Sequence, residues 1–514
     1  MKLRSARLVA ATAALVVAAA SLAGCGSDGK DEASGAPGSS QEPQKGGELT
    51  VLRSLDIDAW DPDKIIGIES FETLPQVMEG LLRPNPEATG VLPGLAEEWE
   101  FDAEAKTITF HLRDGAQFSD GTPVTAEDVA FSVGLWQENV SWQSLYSAIS
   151  GAKAVDEHTV VVRMNRPSTF TLAWIANGSA VVVPKDFGGK SREEFFKQPI
   201  GAGPFQIEEW VPGQSLTLVP NPHYYDPEHP YLDKLTYKVV SDPNQQLLQF
   251  QNGQAQVLES VPLDLANQFG DDQLKLVQPT AIVHGAYTNV LSGPAADLHF
   301  RKAVSLAIDR ETYVQTVFGG LATVAKGGLP PGVEGSAECD CSYDFDLEAA
   351  KAELEQSSYD GKPLVILVDA ASNVSTRGGE VLVEMLKKVG ITADLQPEEN
   401  SVLFDRYSRN DYDLTLGEVT SISPTVGDIF GLLSVFLATA DTSGVIPKAF
   451  EALDVAPDPA AAEAATKTAE NWMGENLPYV PIANPERAFA VDASVGGLEV
   501  APYLIYPADR LWVK

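Results

Sequence analysis

The sequence predicts a multi-domain α/β protein carried behind an export leader, and three observations predict it. The chain has 514 residues, room for roughly two to four domains of ordinary size. Apolar residues make up 44% and charged residues 21%, a balance that fills full cores. It excludes a small disulfide-stapled module, a collagen and a wholly disordered chain. From Leu364 onward short apolar runs alternate with helical periodicity, the pattern of a parallel sheet covered by helices.

The leader comes first. Lys2, Arg4 and Arg7 precede an apolar run from Leu8 to Leu22, about the length of a signal-peptide core and short of the ~20 residues that span a membrane. Leu22-Ala23-Gly24-Cys25 resembles the bacterial lipobox, which implies a diacylglyceryl group on the Cys25 thiol. The other reading is an ordinary signal peptide with a chance cysteine. Small residues before Cys25 and the polar Gly/Ser/Pro stretch from Gly26 to Lys45 favour the lipoprotein, because a lipid anchor needs a flexible leash. Residues 1–24 are then the signal peptide and 25–45 the tether. The body is expected on the outer face of the cell membrane, held by lipid, since no later run reaches the roughly 18 apolar residues of a spanning helix.

Lys and Arg number 36 against 72 Asp and Glu, a net charge of −36. Such a field repels phosphate backbones and excludes nucleic acid as a partner. The acid excess either keeps an exported protein soluble or draws cationic ligands. Of three cysteines, Cys339 and Cys341 remain beside Cys25. Two residues apart and outside the cytoplasm, they form either a local disulfide or two free thiols. No further cysteine accompanies them and the six histidines are scattered, so neither a metal site nor a cofactor is expected.

The elements follow in order. Glu48 to Arg53 reads as a strand, and Lys106 to Arg113 alternates with Ile108, Phe110 and Leu112 on one face. Ser119-Asp120-Gly121 turns the chain. Thr125 and Asp128 make a capping-box start to a helix carrying Val129, Val133 and Trp136 inward. His158 to Met164, Ser215 to Val219 and Leu235 to Val240 are strands. The stretch between the last two, with His223 and His229, is too rich in Pro and Asn for a helix. Leu364 to Val368 is a continuous apolar strand, Gly379 to Val389 a helix, Ile391 to Leu395 a strand, 400–408 a helix and Tyr412 to Leu416 a strand. In such sheets ligands bind beyond the carboxyl ends of the strands. The site is therefore expected in the loops Asp369 to Arg377, Gln396 to Asn400 and Gly417 to Ser423.

Placed in order, these pieces resemble a known family. Gly46-Gly47-Glu-Leu-Thr, then WDPDKIIGIES leading to MEGLL, then the long segment from Pro93 to Val133, GAGPFQIEEW, HFRKAVSLAIDRE and ENLPYVPI are similar to landmarks of the family 5 extracytoplasmic solute-binding proteins. These are the peptide, oligopeptide and nickel receptors of ABC importers. The resemblance covers essentially the whole chain after the tether. It implies a type II periplasmic-binding-protein-like fold, two α/β lobes with an additional inserted domain. Lobe I falls at 46–80, 200–288 and 487–514, the inserted domain at 81–199 and lobe II at 289–486. It also implies a monomer that delivers a small solute, first of all a peptide, to permease subunits in the membrane.

The resemblance carries residues with it. Ile66, Gly67 and Ile68 are expected to pair with the ligand main chain, and Asn373, Arg377, Phe404, Gly417, Glu418, Val419 and Thr420 to contact it from the opposing lobe. Arg377 is either a carboxylate partner or a solvated loop residue. Trp60, Trp142, Trp174 and Tyr503 are candidate stacking platforms, with core packing the favoured reading of each. One departure bears on the ligand. Peptide receptors of the family usually carry an Asp shortly after a Gly-Trp pair, whereas LGEVTSISPTVGD has no Trp and no acid between Glu418 and Asp428. An oligosaccharide or another non-peptide solute is the alternative. Nickel is disfavoured because no histidine lies in the three loops. GxSxG, HExxH and Walker-type motifs are absent, which speaks against an exported hydrolase.

Overall fold

The computed structural model describes residues 2–3 and 42–514 other than 66, 140, 141, 143, 144, 271, 278, 279, 338, 340, 371, 428, 430–440, 457 and 504. Residues 263, 264, 267, 400, 401, 404 and 408 are described by backbone alone. The expected lipid site Cys25, nearly all of the signal and tether, and Ile66 lie outside the described residues. So does the Phe404 side chain.

Three sheets organise the chain. The first has seven strands in the order Leu274–Val277, Arg487–Val491, Val257–Leu258, Glu48–Arg53, Lys234–Val239, Ser215–Pro220 and Phe205–Val211. Glu48–Arg53 runs parallel to both of its neighbours. Leu49, Val51 and Leu52 are wholly buried, as befits a central strand covered on both faces. The second sheet is antiparallel, in the order Lys2–Leu3, Ala96–Asp102, Thr107–Leu112, Thr159–Met164 and Ile149–Ala154. In Thr107–Leu112 the residues Ile108, Phe110 and Leu112 are buried, the alternation expected of a half-covered strand. The helix Ala126–Glu138 lies on this sheet with Val129, Val133 and Trp136 buried. The Thr125 N–H donates to Asp128 Oδ2 at 2.7 Å, closing the box at the helix start.

The third sheet has six strands in the order Ala322–Val324, Tyr479–Pro485, Ile282–Thr288, Leu414–Thr420, Leu364–Asp369 and Ala393–Glu398. The expected parallel arrangement holds for the last three strands alone. Ile282–Thr288 and Tyr479–Pro485 pair antiparallel, because the first arrives from the seven-stranded sheet and the second, after the helix Pro459–Asn476, leaves for it. Ile282–Thr288 thus pairs in the sheet of lobe II, although the division at 288/289 put it in lobe I. Below it, Leu274–Val277 pairs with Arg487–Val491 in the seven-stranded sheet. Among the described residues, Thr280, Ala281 and Glu486 lie between these two sheets. There the Thr280 hydroxyl donates to the Pro485 carbonyl, and the Ala281 N–H donates to the Pro502 carbonyl at 2.7 Å.

The helix read as Gly379 to Val389 starts six residues earlier and spans Asn373–Lys387, with Ser372 accepting from the Ser375 N–H at 3.1 Å. Gly378 and Gly379 weaken the helical signal in sequence. They sit where the helix lies closest to its neighbours, against the Tyr313 hydroxyl and against Leu395 and Val368. One apolar cluster runs from Phe110 and Val162 of the five-stranded sheet through Phe170 and Trp174 to Val426 and to Leu453 and Ala469 of the helices Val445–Asp454 and Pro459–Asn476. No described helix is long and apolar enough to cross a membrane.

Cys339 and Cys341 come together as a disulfide with Cα atoms 5.3 Å apart. Beside them lies Glu470, which accepts the Gly328 and Leu329 N–H groups at 2.8 Å each. Burial pushes the Glu470 carboxyl up to about 7. With an unfolded value near ~4.3, its proton stabilises the fold fully below that value, and the contribution is lost as pH rises through 7. Glu470→Gln is therefore expected to cost less stability at pH 8 than at pH 5 in urea unfolding. A cost independent of pH would contradict this.

The Gly201-Ala202-Gly203 segment packs on the end of the helix Ile68–Val77. The Gly203 N–H donates to the Val77 carbonyl at 3.0 Å, and a Cβ at Gly201 would press onto that same carbonyl oxygen. Gly201→Ala is expected to destabilise by about 1–3 kcal/mol, seen as a lower urea midpoint with an unchanged slope.

Candidate functional site

Two of the cavities among the described residues bear on the site. The larger, about 650 Å³, lies at the carboxyl ends of Leu364–Asp369 and Leu414–Thr420. Its walls come from both lobes: Asp369, Ser372, Ser375, Gly417 and Glu418 on one side, Ser260 to Pro262 on the other, and the crossing residues Pro485 to Ala488 between them. Tyr287 and Tyr407 line it, their rings edge to face at 6.1 Å. A Cβ at Gly417 would meet the Tyr287 ring at 3.1 Å, so this glycine lets the ring lie flat over the strand. Burial raises the Tyr287 phenol, which stays protonated and polar.

The cavity presents both signs of charge. The helix Asn373–Lys387 starts beside it, with Ser372 and Ser375 on the wall, and a helix start offers free N–H donors and a partial positive charge. Arg487 adds a full one. Asp369 beside the helix start, the exposed Glu418 on the same wall, and Glu486, whose Oε2 is buried without a hydrogen-bond partner, supply the negative charge. His284 faces Glu418 across the strand pair. It is fully buried, its Nε2 lies 2.9 Å from the Tyr313 hydroxyl, and burial depresses its pKa, so the ring is neutral.

The second cavity, about 380 Å³, is walled by Phe71, Glu72, Glu79 and Arg83 of lobe I and the neighbouring segment, by Tyr503 and Asp509, and by Ile422 to Pro424 of lobe II. Behind it lies a buried ion cluster. Arg53, at the end of the central strand, donates through Nε to Glu259 Oε2 at 3.0 Å and through Nη2 to Glu259 Oε1 at 2.8 Å, a two-pronged pair. Nη1 reaches Thr73 Oγ1 at 3.0 Å, Nη2 lies 3.5 Å from Glu72 Oε1, and the guanidinium stacks 3.6 Å from the Tyr237 ring centre. Tyr506 donates to Glu259 Oε1 at 2.6 Å. Two carboxylates thus share one guanidinium. Burial first, and the Glu259 charge second, hold the Glu72 carboxyl well above its usual range.

A profile of the family described as bacterial extracellular solute-binding proteins, family 5 middle, matches residues 90–441. The chain belongs to this family. It is 29% identical over 340 residues to the probable D,D-dipeptide-binding periplasmic protein of Escherichia coli K12, covering 64% of this chain and 65% of that one. It is 25% identical over 510 residues to the periplasmic oligopeptide-binding protein of Salmonella typhimurium, covering 90% and 92%. The first match spans less than two thirds of that relative's length. Among solved structures, NikA from Brucella suis in complex with Fe(III)-EDTA superposes with a TM-score of 0.81 at 21% identity, covering 91% of this chain and all of that one. The fold is therefore the type II periplasmic-binding-protein fold, and the relatives are extracytoplasmic binding proteins.

Within this family 5 chain the residues singled out from sequence scatter. Gly417 and Glu418 line the larger cavity and Tyr503 the smaller, its hydroxyl donating to the Asn85 carbonyl at 2.7 Å. Val419 is buried in the core and Thr420 half-buried. Asn373 and Arg377 are exposed on the first turns of their helix, and it is Ser372 and Ser375 that face the cavity. Of the helix carrying Phe404, Leu403 and Tyr407 reach the wall. Gly67 caps the helix Ile68–Val77 and donates to Asp58 Oδ2 at 2.8 Å, and neither it nor Ile68 lines a cavity. Trp60 is core, edge to face with Trp210 at 6.2 Å. Trp142 donates to the Ile65 carbonyl at 2.9 Å and meets Phe71 edge to face, one layer behind the smaller cavity. Sequence reasoning missed Tyr287, Glu486 and Arg487, which come from the two crossing strands. The landmark ENLPYVPI, just ahead of the second crossing, was the available signal.

Arg53→Met leaves Glu72 and Glu259 buried together without their cation, an arrangement that costs about 3–5 kcal/mol. The deficit is expected in full at pH 7.5 and to shrink towards pH 5, because a carboxyl raised in the folded state regains its proton as pH falls. Urea unfolding at the two pH values checks both size and sign.

Proposed function

We propose that the chain captures a peptide in the larger cavity outside the cytoplasm and surrenders it unchanged to an ABC permease, while a lipid on Cys25 holds it at the membrane. The observation that carries the reading is a cavity walled by both lobes and by their crossing strands, with helix-start donors, a guanidinium and carboxylates together on its lining. A zwitterion fits such a site: its carboxylate meets the helix start at Ser372 and Ser375 with Arg487, and its ammonium meets Glu418 and Asp369. Two crossings close together let the lobes turn against each other, so closure excludes water and gives the permease a loaded shape to recognise. The relatives named for peptide binding support the ligand class. Binding at −36 net charge is aided for any solute with a surplus of positive charge. The chain works as a monomer in this reading.

A second reading, a non-peptide solute, is favoured by the loop after Glu418, which lacks the Trp and the acid of peptide receptors. The Brucella protein of the same fold is described with Fe(III)-EDTA. Among the described residues no histidine lines either cavity, which argues against bare nickel.

Native mass spectrometry of the purified protein, followed by calorimetric titration with di- to pentapeptides, tests the proposal. The expected result is saturable binding of peptide that is recovered intact. Peptides without effect beside a sugar that raises the melting temperature would overturn the ligand class, and cleaved peptide would overturn the receptor role.

A further inference from the structure

We propose that the smaller cavity takes a cationic side chain of the solute, a lysine ammonium or arginine guanidinium on its aliphatic stem, against Glu79. The inference rests on the reading that the solute is a peptide held between the lobes, and it adds a specificity that the larger cavity does not supply.

The cavity lies where the solute would pass. Phe71 to Arg83 form its first-lobe side and Ile422 to Pro424 its second-lobe side. The strand Leu414–Thr420 leads from the wall of the larger cavity into that second-lobe loop. A side chain entering here from a peptide in the larger cavity bridges both lobes.

The wall carries more negative than positive charge. Five carboxylates line it against the guanidiniums of Arg83 and Arg510. Two buried ion groups at its back are each short of one cation: Glu72 and Glu259 share Arg53, and Glu79 and Asp509 share Arg83. An acid cluster alone does not define a site. Here one carboxylate oxygen is waiting for a donor. The Glu79 side chain is 1% exposed. Its Oε1 accepts from Arg83 Nε at 2.5 Å and from the Tyr225 hydroxyl at 2.8 Å. Its Oε2 is buried with no hydrogen-bond partner, and the residue lines the cavity.

A buried carboxylate oxygen without a donor is destabilising, and a charged N–H donor from a guest is the strongest remedy. The rest of the lining suits the remainder of such a side chain. Phe71, Leu82 and Tyr503 are apolar surfaces, against which a methylene stem packs while its head stays polar. A neutral or acidic side chain would leave Oε2 unpaired or add a further negative charge.

The test is calorimetric titration of the full chain with Ala-Lys-Ala, Ala-norleucine-Ala and Ala-Glu-Ala, which share a backbone and differ in the head group. The expected result is at least about tenfold tighter binding of the lysine peptide than of the norleucine peptide, and weaker binding still of the glutamate peptide. Glu79→Gln is expected to bring lysine and norleucine to near equality. Glu499→Gln, on the exposed rim and independent of the buried groups, is expected to narrow the preference in part, which covers a failure of Glu79→Gln to fold. Equal binding of the three peptides by the unaltered protein overturns the inference and leaves the peptide reading standing. So does a lysine preference that survives Glu79→Gln. If no peptide binds, the peptide reading fails, and agmatine decides the cation site separately: it stands if agmatine raises the melting temperature of the unaltered protein and not of Glu79→Gln, and falls otherwise.

Discussion

The structure hangs on one antiparallel pair of chain segments. Leu274–Val277 and Arg487–Val491 finish the seven-stranded sheet, and the same two segments continue as Ile282–Thr288 and Tyr479–Pro485 in the six-stranded one. Backbone hydrogen bonds must be satisfied on both sides of the crossing, which among the described residues leaves Thr280, Ala281 and Glu486 outside the ladders. Every wall of the larger cavity is placed by this constraint: the carboxyl ends of the second-lobe strands face the 260–262 turn of the first lobe because the crossing holds them at that separation. Two lobes joined at one edge by two short segments have few soft dihedrals to move, and those few lie beside the larger cavity.

The second theme is charge that the fold leaves incompletely balanced. Most of the 72 acids lie in water, where each costs little. Glu72, Glu79, Glu259 and Asp509 are different, since they crowd around two guanidiniums in a low-dielectric interior at the cleft. Removing a group from such a cluster is more costly than the cluster is stabilising. Its value to the protein lies in orientation: the two-pronged Arg53–Glu259 pair ties the central strand to its parallel neighbour, and Thr73 ties both to the helix Ile68–Val77. The helix that lines the smaller cavity is thus fixed from beneath.

Periodicity made particular elements legible. The alternation at Thr107–Leu112 and the capping box at Thr125 are local signals, and both came out as read. The helix Asn373–Lys387 was read short because two glycines stand in it, and those glycines answer to packing against Tyr313, Leu395 and Val368, which no local pattern reveals. The site was legible where it follows from strand ends, as at Gly417 and Glu418. It was illegible where it depends on which side of a helix faces inward: Ser372 and Ser375 reach the cavity, and Asn373 and Arg377 point to solvent.

By itself the sequence determined the alternating strands and helices of the last third, the order of family 5 landmarks, and the surplus of acid. These are properties of neighbours in the chain, where side-chain spacing and composition act directly. Only the tertiary structure decided that Trp60 is core, that Tyr287, Glu486 and Arg487 join Glu418 around one cavity, and that Glu79 keeps an oxygen without a donor. Those facts arise between segments hundreds of residues apart, and the burial that gives a carboxylate or a tyrosine its chemistry exists once the sheets have met.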